Sequence, residues 1–101
     1  MNNISIVEEV PFARETIAVS NTVESLDSNL VAEANRALIQ FQGVTRVTLT
    51  DGEEPTVSVG FQYPSQTFMT LVGRLAMNSF KFIRNGTSDS TVEVAYFKST
   101  S

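Results

Sequence analysis

The stretch LDSNLVAEANRALIQF, residues 26–41, decides how the fold is read. Leu26, Leu30, Ala34, Ala37, Leu38 and Phe41 recur at three- and four-residue steps, which draws one apolar stripe along a helix. Glu33, Arg36 and Gln40 fill the other side. Residues 21–28, rich in Ser, Thr, Asn and Asp, offer oxygens to the free N–H groups of a helix start. Gly43 stands just past the stripe, where a left-handed residue commonly ends a helix. The spacing predicts a first helix over residues 24–42.

Downstream the period changes to two. In residues 44–50, Val47 and Leu49 oppose Arg46 and Thr48, and Asp51-Gly52 then signals a hairpin. Pro55 limits where the next strand begins to pair. Residues 56–63 place Val57, Val59, Phe61 and Tyr63 on one face and Ser58, Gly60 and Gln62 on the other. After Pro64-Ser65, Phe68, Val72, Leu75 and Ser79 form one row, with Met69, Ala76 and Phe80 beside it, predicting a second helix. Gly73 inside that helix would cost about 1 kcal/mol relative to Ala. Residues 85–90 read as a polar loop, and residues 91–98 as a strand with Val92, Val94 and Tyr96 on one face.

Upstream, Ile17 and Val19 share a face of a strand over residues 14–20, and residues 4–10 read as an extended arm or extra strand ended by Pro11. The predicted order is strand, helix, strand, strand, helix, strand. It fits an α+β, ferredoxin-like βαββαβ domain: one four-stranded antiparallel sheet with two helices on one face, plus the N-terminal arm or extra strand. The expected organisation is an arm at 1–13, one domain at 14–98 and a frayed tail at 99–101.

Composition narrows the chemistry. The chain of 101 residues has no cysteine and no histidine, which removes thiolates, the commonest general base and the commonest metal ligand. Its five glycines form no phosphate-binding run. The acidic pairs Glu8-Glu9 and Glu53-Glu54, the second beside Asp51, do not have the spacing of a calcium loop and read as solvated surface. No catalytic, cofactor-binding or metal-binding residues are therefore assigned. Eleven acids against seven bases give a net charge of −4, which disfavours nucleic acid as a partner. The stretch from Phe68 to Ile83 is interrupted by Arg74, Asn78 and Lys81, so a bilayer span is not expected. A cysteine-free chain with no visible targeting segment is expected in the cytoplasm. Asn85-Gly86-Thr87 matches a glycosylation acceptor, which has meaning only for a secreted chain.

Two local resemblances bear on function. Gly60-Phe61-Gln62-Tyr63 resembles the third-strand motif of RNA-recognition motifs, whose exposed aromatics stack on bases, although Val59 stands where a basic residue is expected and Pro64 ends the motif. Gln42-Gly43-Val44-Thr45-Arg46-Val47 is similar to the helix-to-strand passage of heavy-metal-associated domains. The metal loop of that family would fall at residues 20–25, which carry no thiol, so only the topology is implied.

The expected function is a non-enzymatic protein-interaction or assembly module. It would act on a protein partner or on itself, through its sheet face or its arm. The candidate interface is Ile4 and Ile6 on the arm with Arg46, Thr48, Ser58 and Gln62 on the sheet. One alternative is a regulatory domain binding a small ligand or anion at Arg74, Lys81, Arg84, Asn85 and Gly86. Another is an accessory or structural subunit of a virus or phage.

Overall fold

The computed structural model describes residues 9–50 and 52–99. In chain order they form β1 (Glu9–Val19), β2 (Glu24–Ser25), α1 (Ser28–Glu33), β3 (Arg36–Gln42), β4 (Thr45–Thr48), β5 (Phe61–Tyr63), β6 (Thr67–Val72), α2 (Arg74–Ser79), β7 (Lys81–Arg84) and β8 (Ser90–Ser99). Residues 9–13 continue into β1, whereas the rest of the expected arm lies outside the described residues.

The ferredoxin-like expectation is overturned. The strands make two antiparallel sheets of four, ordered β1-β8-β3-β6 and β2-β7-β4-β5. The pairs β1·β8, β2·β7, β3·β6 and β4·β5 trace one long antiparallel ribbon folded at residues 49–60. Rolling that ribbon joins β8 to β3 and β7 to β4. Eight strands wound in this order make a jelly roll.

Both expected helices dissolve for a shared reason. The first shrinks to α1, started by Asp27, whose carboxylate accepts from the N–H groups of Asn29 and Leu30. The rest of its stripe is β3, where Ala37, Ile39 and Phe41 alternate into the core while Leu38 points out. An apolar residue on the outer face counterfeits a three- and four-residue step. Likewise β6 turns Leu71 inward and Phe68 and Val72 outward. Gly73, at φ 93°, separates β6 from α2 rather than sitting inside a helix.

The expected hairpin is real in pairing but not in its turn. Val47 pairs with Phe61 and Arg46 with Gln62, yet residues 49–60 form a long excursion between them. Thr56 and Val59 close a small turn of their own there, and Asp51 lies outside the described residues. The strands at 14–20 and 91–98 appear as expected, with Val19, Val92, Val94 and Tyr96 buried.

One core joins the two sheets. Ile39, Phe41, Val92 and Tyr96 from the first meet Val47 and Phe82 from the second, with Val31 and Met77 added by the helices. Aromatic contacts run through it: Phe41 stacks on Tyr63, and Phe80 lies between Phe41 and Phe82. Burial of such large rings is the main favourable term for this fold.

Candidate functional site

The outer face of the second sheet carries three of the six expected interface residues. Arg46 and Gln62 are cross-strand partners on it, and Thr48 follows one pleat further along β4. Two of these side chains are occupied in holding residues 49–60 over the sheet. Arg46 donates from Nε to Asn85 Oδ1 at 2.8 Å and from Nη1 to Gly60 O at 3.1 Å. Thr48, itself buried, donates to Glu53 O at 2.9 Å. The excursion is fixed from the far side too, by the bond from Gly86 N to Val57 O. Gln62 and Ser58 stay exposed, and Ile4 and Ile6 lie outside the described residues.

The five candidate anion contacts do not converge on a free pocket. Arg74 donates to Ala32 O, tying α2 to α1. Arg84 pairs with Asp89 at 2.7 Å and donates to Gly86 O. Asn85 accepts from Arg46. Lys81 sits on β7 opposite Ser25 and Thr48.

One polar cluster lies at the β1 edge. The Tyr96 hydroxyl donates to Glu15 Oε2, which also accepts from Asp27 N at 3.1 Å. Burial first, then the adjacent Glu15 carboxylate, holds the phenol well above its ordinary range. The phenol bonded to a carboxylate is a structural tie between β1, β8 and the start of α1. Among the described residues no group of acidic side chains is arranged to hold a metal ion. No helix among them is long and apolar enough to cross a membrane.

The least expected surface lies on the other side of the sandwich. β5 and β6 are the last strands of their sheets, and among the described residues no strand pairs with their outer edges. Tyr63 on β5 stacks over Phe41, which pairs with Thr67 on β6, so both open edges flank the same side. There Phe61 is 66% exposed, Phe68 59%, Val72 71% and, at the start of α2, Leu75 84%. Beside Phe68, the outer face of the first sheet sinks into a shallow groove of about 160 Å³ lined by Arg14, Leu38, Gln40, Glu93 and Ala95. No family model matches this chain, and no curated protein or solved structure matches it.

The sequence holds a signal for this surface. Between Glu54 and Arg74 lie nineteen residues without one charge, and they include both open strands. In a chain where 18% of residues are charged, that gap leaves both open strands without a charged side chain. The opposite edge differs: β1 bears Glu9, Pro11, Arg14 and Glu15, with a register shift between Pro11 and Ala13. Charge, proline and a bulge are the devices that keep an edge strand from pairing.

Proposed function

We propose that this chain is a non-enzymatic assembly module whose contacts run through the uncharged β5–β6 side of its sandwich. The observation that carries the reading is the coincidence of two open strand edges, four exposed large apolar side chains and a charge-free segment. Monomeric proteins blunt such edges, and β6 carries no lysine, proline or bulge. The absence of histidine and cysteine from the chain supports a role that needs no proton or thiolate chemistry.

The sheet-face interface expected from Arg46 and Thr48 gives way here to the edge, because those side chains already serve the fold. The jelly-roll connectivity favours one more specific version, a structural subunit of a virus or phage. Capsid domains use this winding, but so do lectins and cupins, so that version rests on analogy of fold.

Sedimentation velocity across micromolar to near-millimolar protein tests the proposal. The expected result is an average mass that rises with concentration and is little changed by high salt, since uncharged surfaces are not screened. A constant monomer mass at the highest concentration would contradict it.

A further inference from the structure

Building on the assembly reading, we infer that β6 pairs antiparallel with β6 of a second copy across a two-fold axis at Thr70. Three observations lead there. First, among the described residues no strand pairs with the outer edge of the six-residue β6, which carries no charged side chain. A charged partner would find nothing to pair with, whereas an identical edge offers matching donors and acceptors.

Second, the edge is complementary to itself. Phe68, Thr70 and Val72 share the outer face, and Thr67, Met69 and Leu71 the inner one, as their partners on β3 show. Residues opposite each other in a sheet must lie on the same face. With Thr70 opposite its own copy, Phe68 meets the other copy's Val72, and Met69 meets its Leu71. The pairs flanking Thr70 are then apolar, the arrangement that stabilises cross-strand contacts, and Thr67 falls opposite Gly73. The result is a continuous eight-stranded sheet across the two copies.

Third, the area fits. A rotation axis normal to the sheets keeps each sheet in its layer, so the β5 edges, with Phe61, come to face each other as well. The exposed parts of Phe61, Phe68, Val72 and Leu75 amount to about 500 Å² of apolar surface per copy. Edge pairing covers only part of this, because Phe68 and Val72 stand on the outer face, so the contact is smaller than the ~800 Å² per partner of a standard interface and fits a dimer that forms as the protein is concentrated.

The chain has no cysteine, so a single introduced thiol reports the contact directly. Opposed residues in an antiparallel pair have Cα atoms roughly 4.5–5.5 Å apart, within disulfide reach. Under mild oxidation Thr70→Cys is expected to give a covalent dimer, whereas Ala18→Cys, exposed on the far edge strand β1, is not. Thr70→Lys is expected to weaken self-association at least tenfold without unfolding the monomer, because Thr70 is exposed. Self-association in which Thr70→Cys stays uncrosslinked and Thr70→Lys has no effect would overturn the pairing and leave the assembly reading standing. Loss of association in Ile4→Asp/Ile6→Asp with none in Thr70→Lys would move the contact to the arm and also overturn it. A wild-type chain that is monomeric throughout would overturn both.

Discussion

The rings of Phe41 and Tyr63 stack with centroids 5.0 Å apart and planes 14° apart, joining β3 of one sheet to β5 of the other. β3 lies beside the edge strand β6, so this contact shows the two open edges on a common side. Tyr63→Ala removes a half-buried ring and its stacking on Phe41, so it is expected to cost about 2–3 kcal/mol in urea unfolding. Phe61→Ala, two residues away and mostly exposed, is expected to stay within about 0.5 kcal/mol at concentrations where the chain is monomeric.

Gly43 has φ 134°, and a Cβ there would lie 2.6 Å from Ser90 Cβ and 3.2 Å from Ser90 Cα. Ser90 cannot retreat, since it is buried against Thr45, Oγ1 to Oγ 3.0 Å. Gly43→Ala therefore combines backbone strain with a clash and is expected to cost more than about 2 kcal/mol. Gly52→Ala, which meets nothing within 4 Å, bears only the strain of its φ of 81° and is expected to cost less. Thermal unfolding of the two variants side by side checks the difference.

Arg46 secures residues 49–60 through Asn85 and Gly60, so its loss should be felt first in that excursion. Arg46→Ala is expected to cost about 1–2 kcal/mol and to speed cleavage by a glutamate-specific protease at Glu53 and Glu54. Arg46→Lys keeps the charge but not the two-pronged geometry, and is expected to behave more like Ala than like the wild type.

The Tyr96 phenol is held above its ordinary value of 10.0 by burial and by Glu15. A raised pKa in the folded state means the unfolded chain loses this proton first as pH rises. The stabilisation is fully present below the unfolded value and is lost progressively as pH climbs from about 10 toward the folded value. Tyr96→Phe is expected to be less stable near neutrality, through loss of the bond to Glu15, and to show a flatter alkaline decline. Urea midpoints measured from neutral to strongly alkaline pH would show whether the slope changes.

How much of this was legible in the residues depends on what lines the outer faces. β1 and β8 were readable because Thr16 and Glu93 face water where Ile17, Val92 and Val94 face inward. Polar and apolar residues alternate there over residues 91–94, and Thr16, Ile17 and Val19 keep the same period. β3 and β6 were not, because Leu38, Phe68 and Val72 are apolar on the outside as well. Two apolar faces offset by one residue generate three- and four-residue steps, and a helix is the natural reading. Phe68, Val72 and Leu75, the row that suggested the second helix, are among the most exposed apolar residues of the protein. The pattern that misdirected the fold is thus the pattern that marks the surface. The roles of Arg46 and Thr48 were illegible for another reason: nothing local announces that residues 49–60 fold back over β4.

Amide hydrogen exchange as a function of protein concentration tests the central claim most directly. In an isolated molecule the outer edge of β6 is open to water, and in a paired one it is sealed. The account predicts that protection of residues 67–72 rises as the protein is concentrated, while residues 14–18 of β1 exchange at an unchanged rate. Exchange at 67–72 that is independent of concentration, up to the limit of solubility, would contradict it.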